Sequence, residues 1–106
     1  MKDLTQLLVD FRDARDWGQF HNPKDLALAL SIEAAELNEA FLWKKSEEAD
    51  MDKVREELAD VFAYALLLAH RCGLDVNEIV KAKVAKNEVK YPVEKSKGSA
   101  KKYTEL

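Results

Sequence analysis

The longest helical pattern in the chain is the stretch from Met51 to Arg71, which reads MDKVREELADVFAYALLLAHR. Its apolar residues recur at alternating spacings of four and three, as they do along one face of an α-helix. They are Val54, Leu58, Val61, Ala65, Leu68 and Cys72. Gly73 follows them as a typical C-terminal stop. We therefore predict an amphipathic helix over about 51–71.

Three further segments show the same periodicity. They cover about 3–16, 23 or 24 to 43, and 76–90, the last with Asp75 as its predicted cap. Residues 17–22 contain a glycine and a polar cluster next to a proline, and are expected to form a loop. The prediction is an all-α protein, an antiparallel four-helix bundle over residues 1–92 followed by a Lys- and Ser-rich tail over 93–106.

Length and composition limit what such a chain can be. A chain of 106 residues is expected to form one domain, which argues against an enzyme with a separate cofactor domain. With 47% hydrophobic residues, 3 Gly and 2 Pro, neither disorder nor a turn-rich β-sandwich is expected. The core of so small a chain is modest, which favours a homo-oligomer.

The charge is distributed unevenly along the chain. The formal net charge is −3, but residues 33–60 carry −6 and residues 76–106 carry +4. This asymmetry is compatible with a metal site opposite a basic anion-binding surface, or merely with solvated helix faces. Binding to a nucleic-acid polymer is not expected, because the chain is acidic overall and its C-terminal lysines lack interleaved aromatic residues.

Cys72 is the only cysteine, so no intramolecular disulfide is possible. No apolar run approaches the roughly 20 residues that a membrane span needs, and the first residues do not resemble a signal peptide. We expect a cytoplasmic protein that does not bind membranes.

Two acidic pairs lie on otherwise apolar stripes of the two longest predicted helices. Glu33 and Glu36 share a stripe on the second helix, and Glu57 and Asp60 share a face with Tyr64 on the third. Four buried carboxylates would have to be protonated, paired with cations or bound to a metal, and an all-oxygen donor set favours Mg²⁺ or Mn²⁺ over Zn²⁺. The alternative is that all four carboxylates are solvated charges on outer faces.

Other residues are candidates for contacts with a phosphorylated ligand. Lys83, Asn87 and Tyr91 follow one another at spacings of four on the fourth helix. Trp17 and Trp43 offer flat surfaces on which a nucleobase could stack. The ordinary alternatives stay open for these five residues: surface polar groups, a helix-end tyrosine and core tryptophans.

The acidic pairs resemble a known motif. Glu33-Ala-Ala-Glu36, followed after twenty residues by Glu57-Leu-Ala-Asp60, is similar to the ExxE…ExxD metal motif of the MazG-like, all-α nucleoside triphosphate pyrophosphohydrolases. Four further segments resemble the dCTP pyrophosphatase branch of that family: 16–26, 41–44, 87–92 and 102–106. The resemblance covers nearly the whole chain.

The resemblance implies an enzyme that cleaves deoxynucleoside triphosphates, typically dCTP, to the monophosphate and pyrophosphate. It implies that Glu33, Glu36, Glu57 and Asp60 bind Mg²⁺ and are the catalytic residues. It also implies that the phosphates or sugar of the substrate are contacted by Lys83, Asn87 and Tyr91. The base would be surrounded by Trp17, His21 and Trp43, with Tyr64 nearby. A homodimer or homotetramer is implied, in which some of these groups reach across a subunit interface.

Two positions depart from the family pattern. Ile32 occupies a place that is acidic in broader MazG sequences, and Leu8 stands where branch members can have a base-contacting histidine. The first departure concerns the number of metal ions, and the second weakens the expectation of strict cytosine specificity. The alternative function from another class is a noncatalytic helical oligomerisation module, whose acidic faces meet the basic ends of neighbouring chains.

Overall fold

The computed structural model describes residues 1–105, and every regular element within them is helical. The α-helices are α1 (Lys2–Ala14), α2 (Pro23–Glu39), α3 (Met51–Arg71), α4 (Val76–Lys90) and the short α5 (Val93–Ser96). Three short 3₁₀ helices cover Trp17–Phe20, Ser46–Glu48 and Tyr103–Glu105. The all-α class is confirmed, whereas the four-helix bundle arrangement stays a prediction.

The chain divides into two compact units, Met1–Leu74 and the segment from Asp75 onward. In the first unit α2 packs along α3, and α1 packs against α3 and the 3₁₀ helix over Trp17–Phe20. The core of this unit consists of buried Val9, Leu26 and Leu67, with partly buried Leu8, Tyr64 and Leu68 packed against them. The two long helices that carry the acidic pairs therefore share one interface.

Helix α3 has the predicted bounds, and both of its ends are capped. The Asp50 side chain accepts a hydrogen bond from the backbone N–H of Asp52 at 3.0 Å. At the other end Gly73 has a φ of 69°, and Leu74 N–H donates to the Ala69 carbonyl at 2.9 Å. This is the Schellman arrangement, in which a left-handed residue allows the chain to close back on the last turn.

The predicted apolar stripe of α3 is only partly correct. Its middle faces the core, but Leu58 is 40% exposed and Cys72 is an exposed residue at the helix end. The buried residues of α3 are Leu66, Leu67 and Ala69. The periodic pattern predicted the helix correctly, but it did not predict which of its residues are buried within a single chain.

Helix α2 begins as predicted and ends earlier than predicted. Asn22 caps its start, accepting from the backbone N–H of Asp25 at 2.9 Å. The helix ends at Glu39 rather than near Trp43, because the backbone hydrogen bonds tighten to i−3 spacing from Ala40 onward. Trp43 itself adopts a left-handed φ of 62°.

Two other segments also differ from the predictions. Helix α1 ends at Ala14, since Asp16 adopts a left-handed φ of 54°, and the expected loop after it contains the 3₁₀ helix over Trp17–Phe20. The predicted tail contains α5 and the 3₁₀ helix over Tyr103–Glu105. Short helices of this kind lack the periodicity by which longer ones are recognised.

The second unit begins with α4, whose predicted cap and bounds are confirmed. The Asp75 side chain accepts from the backbone N–H of Glu78 at 3.1 Å. Tyr91, at the end of the helix, meets Tyr103 edge to face with ring centroids 6.0 Å apart. Within residues 1–105, none of the helices combines the length and the apolar character needed to cross a membrane.

Candidate functional site

The packing of α2 against α3 brings carboxylates from both acidic pairs together. One carboxylate oxygen each of Glu33, Glu36 and Glu57 lies within 4.8 Å of the other two. Glu33 and Glu36 are three residues apart on α2, so they lie on one side of that helix, opposite Glu57 on α3. Like charges at this separation repel one another unless a proton or a cation intervenes.

The burial of these groups makes the repulsion among the carboxylates more costly. Oε2 of Glu33 and Oε2 of Glu57 are buried and accept no hydrogen bond among the described residues. The other oxygen of Glu57 lies 3.5 Å from Nζ of Lys53, a half-exposed lysine one turn away on the same helix. A single ion pair with a half-exposed lysine offsets little of the cost of burying several carboxylates.

The clustering shifts the protonation of Glu33. The pKa of Glu33 is raised to about 7. Burial is the largest cause, followed by the hydrogen bond with Glu36 and the charge of Glu36, and then by the charges of Asp60 and Glu57. Asp60, the fourth predicted carboxylate, therefore acts electrostatically on Glu33, as Glu36 and Glu57 do. All four acids that the sequence singled out belong to one electrostatic cluster.

The donor set fits a hard divalent cation. Carboxylate oxygens are the ligands that Mg²⁺ and Mn²⁺ prefer, and a cation would supply the missing partner for the two buried Oε2 atoms. The described residues bring no histidine or cysteine into this cluster. The alternative that all four are freely solvated outer-face charges is hard to reconcile with two buried, unpartnered oxygens.

A cavity of about 340 Å³ adjoins the cluster in the same unit. It is lined by Leu8, Phe11, Arg12, Trp17, His21, Asp60, Ala63, Tyr64 and Leu67. Two edge-to-face aromatic pairs lie in its wall: Phe11 with Trp17 at 5.8 Å, and His21 with Tyr64 at 6.4 Å between ring centroids. A largely apolar cavity with flat walls and a few polar groups suits a planar ring.

His21 is held neutral in this wall. Burial, and then the positive charge of Arg12, lower the pKa of His21. Its Nδ1 atom is buried and has no hydrogen-bond partner among residues 1–105. An uncharged imidazole suits contact with a base better than contact with a phosphate.

The structure places the predicted site residues in different surroundings. Trp17, His21 and Tyr64 line the cavity together with Asp60. Trp43 is 94% exposed and is not among the lining residues. The remaining three candidates belong to the second unit: Lys83, Asn87 and Tyr91. The substrate contacts of these three residues and of Trp43 stay predictions.

Arg12 is the polar lining residue that the sequence did not reveal. It lies one helical turn after Leu8, the α1 position already singled out for base contact, so the four-residue spacing was an available signal. On a charged amphipathic helix, however, an arginine normally indicates a solvated face. Its burial depends on how the 3₁₀ helix over Trp17–Phe20 folds back on α1.

Comparison with known proteins identifies the family of the chain. A model of the MazG-like family matches residues 28–106. The chain belongs to the MazG-like family. The match includes both acidic pairs and extends through the C-terminal segment, so the family predicted from the motifs is confirmed.

Relatives of this MazG-like chain are known in sequence and in structure. Over its full length it is 41% identical to dCTP pyrophosphatase 1 of Bos taurus and 39% identical to that of Homo sapiens, covering 68% and 67% of those proteins. A crystal structure of a pyrophosphatase from Archaeoglobus fulgidus is similar, with a TM-score of 0.81 and 43% identity. That match covers 87% of this chain and 92% of the archaeal one.

Proposed function

We propose that this chain is a Mg²⁺-dependent nucleoside triphosphate pyrophosphohydrolase. It cleaves deoxynucleoside triphosphates, dCTP and other members of the class, between the α and β phosphates, giving the monophosphate and pyrophosphate. The similarity of the whole of this chain to part of dCTP pyrophosphatase 1 and the structural similarity to an archaeal pyrophosphatase support this activity. In a cell, such an enzyme would remove unwanted nucleotides from the pool.

The position of Asp60 is the observation on which this proposal rests. Its side chain lines the aromatic cavity, and its charge also contributes to the raised pKa of Glu33 in the carboxylate cluster. A flat-walled cavity and a candidate cation site therefore meet at one residue. A nucleotide has the matching layout, with a planar base at one end and metal-seeking phosphates at the other.

Glu33, Glu36, Glu57 and Asp60 would hold the cation, with Mn²⁺ as a substitute for Mg²⁺. The bound ion would neutralise phosphate charge and position the scissile group. Among the residues of the chain, Glu36 is our candidate for orienting or deprotonating the attacking water. Trp17, His21 and Tyr64 would surround the base in the cavity that they line.

Four further residues are proposed to contact the substrate. Lys83, Asn87 and Tyr91 would contact phosphate or sugar oxygens, and Trp43 would cover the base. Because Trp43 projects into solvent, it is suited to reach the site of a second copy in a homodimer or homotetramer. The free thiol of Cys72 is compatible with the reducing cytoplasm, in which we propose that the enzyme acts.

The alternative is a noncatalytic oligomerisation module that uses the acidic faces for contacts with basic chain ends. It does not account for the aromatic cavity next to the carboxylates. An incubation of the protein with the four deoxynucleoside triphosphates and Mg²⁺ distinguishes the two. We expect pyrophosphate and monophosphate in equal amounts, and none with EDTA. Absence of any cleavage would favour the module, and release of inorganic phosphate would indicate an ordinary phosphatase.

A further inference from the structure

The lining of the aromatic cavity contains a permanently charged cation, Arg12. The other polar groups among the described lining residues are neutral His21, the carboxylate of Asp60 and the phenol of Tyr64. The Arg12 side chain is 13% exposed, so most of it is removed from water. Because its charge helps to lower the pKa of His21, the guanidinium lies within electrostatic range of that imidazole in the wall.

The contacts of Arg12 leave one edge of its guanidinium free. Nε of Arg12 donates to Oδ1 of Asp13 at 3.0 Å, which is the one ion pair that Arg12 forms among residues 1–105. Gly18 packs against this pair, since a side-chain carbon at Gly18 would lie 3.5 Å from Nε of Arg12. The two Nη groups therefore carry the donors that have no protein acceptor among the described residues.

Two parallel N–H groups match a ligand that has two adjacent acceptors. Free cytosine has such a pair in O2 and N3, and guanine has another in O6 and N7. Uracil and thymine carry a hydrogen on N3, between O2 and O4, and adenine carries its amino group between N1 and N7. In these three bases a donor of the base would face a donor of the guanidinium, so only one hydrogen bond could form.

We propose that Arg12 is a specificity-determining residue that selects bases with two adjacent acceptors, donating from its Nη groups to O2 and N3 of cytosine. Arg12 does not distinguish cytosine from guanine, since both have such a pair; it distinguishes them from uracil, thymine and adenine. This inference rests on the proposed function, because it assigns the cavity to the base of the substrate and the carboxylate cluster with its cation to the phosphates.

The first test is steady-state kinetics with dCTP and dUTP, whose bases differ at position 4 and in the hydrogen on N3. Arg12→Met should lower kcat/KM for dCTP about tenfold more than for dUTP, as expected when a bidentate contact is lost. Arg12→Lys should show the same selective loss, because an ammonium group keeps the charge without the paired donors. Arg55→Met is the matched control, since Arg55 forms a similar neighbouring ion pair with Asp52 but is exposed and outside the cavity lining. It should change neither value.

The second test removes one acceptor from the substrate and leaves the protein unchanged. In 3-deaza-dCTP a C–H group takes the place of N3, so the wild type should cleave it about tenfold less efficiently than dCTP. Arg12→Met should cleave the two substrates alike, because the partner of N3 is already absent. Equal cleavage of the two by the wild type would overturn the inference, and so would a preference for dCTP that Arg12→Met retains in full.

The remaining outcomes also decide the role of Arg12. An equal loss for dCTP and dUTP in Arg12→Met would place the residue at the phosphates or in the fold, and no loss would remove it from the site; either result contradicts the inference. If thermal melts show that the variant is unfolded, the wild-type comparison with 3-deaza-dCTP still applies. If no nucleotide is cleaved, the proposed function fails, and calorimetry with dCMP and dUMP in Mg²⁺ decides: Arg12→Met should weaken the binding of dCMP alone.

Discussion

At the scale of single residues, Glu33 makes the metal-free protein sensitive to pH. Its pKa is raised from 4.5 to about 7 in the fold, so the folded chain holds this proton more tightly than the unfolded chain does. The resulting stabilisation is fully present below about pH 4.5 and is lost as the pH rises through about 7. Glu33 alone thus makes the folded state less stable at pH 8 than at pH 5.5.

Thermal melts in EDTA at these two pH values check this prediction. Other groups also titrate in this range, so the comparison is with Glu33→Gln, which carries no titratable proton. The decrease in Tm from pH 5.5 to pH 8 should be smaller in the variant than in the wild type. Equal decreases in the two proteins would contradict the shifted pKa.

Glu36 should be required for cleavage without being required for folding. If it orients or deprotonates water beside the cation, Glu36→Gln should lower kcat by at least about a hundredfold. Glu39→Gln is the matched control, because Glu39 ends the same helix, is exposed and lies outside the cluster. Circular dichroism should show the same helix content in all three proteins. Full activity of Glu36→Gln would rule out the assigned role.

The sequence predicted the carboxylates of the site more completely than the walls of the cavity. Glu33 and Glu57 could be predicted because helical spacing places acids on stripes that also carry apolar residues. The cluster then follows from the packing of α2 on α3. Arg12 could not be predicted in this way, because its burial depends on a 3₁₀ turn and a left-handed Asp16. These are tertiary features without a periodic signal.

At the scale of helices, the first turn of α2 depends on Asn22. Its side chain accepts from the backbone N–H of Asp25, and its Nδ2 donates to Oδ2 of Asp25 at 2.7 Å. Asn22→Ala should therefore lower the free energy of unfolding by about 1 kcal/mol, as measured by urea denaturation at fixed protein concentration. Asn38→Ala, an exposed position without a side-chain hydrogen bond among the described residues, should change it by less than about 0.5 kcal/mol. Equal effects of the two substitutions would argue against the cap.

The two ends of α2 show why some helix boundaries are predictable and others are not. A capping residue followed by Pro23 is a chemical signal for a start, and the structure has the start there. The end carries no glycine, and the apolar residues Phe41 and Trp43 prolong the helical pattern past Glu39. Trp43 adopts the left-handed conformation that follows the helix, and a tryptophan does not indicate this conformation as a glycine would.

At the scale of the whole molecule, the chain buries less apolar surface than its composition supplies. Among residues 1–105 only six hydrophobic residues are buried, while many large apolar side chains are exposed. On the paired helices α2 and α3 the exposed residues include Leu28, Ile32, Leu58 and Phe62, at spacings of four within each helix. Apolar helix faces of this kind are characteristic of surfaces that bind another protein. A second copy of the chain is the partner that we predict.

Light scattering on the purified protein tests this prediction. The mass should be two or four times the 12.1 kDa of one chain. Phe62→Glu should lower the mass, because a charge at a half-exposed position is tolerated in one chain but is costly once a partner removes it from water. Phe62→Leu keeps the position apolar and should leave the mass unchanged. A monomeric wild type would contradict the predicted oligomer, and the proposed contribution of Trp43 to a neighbouring site would fail with it.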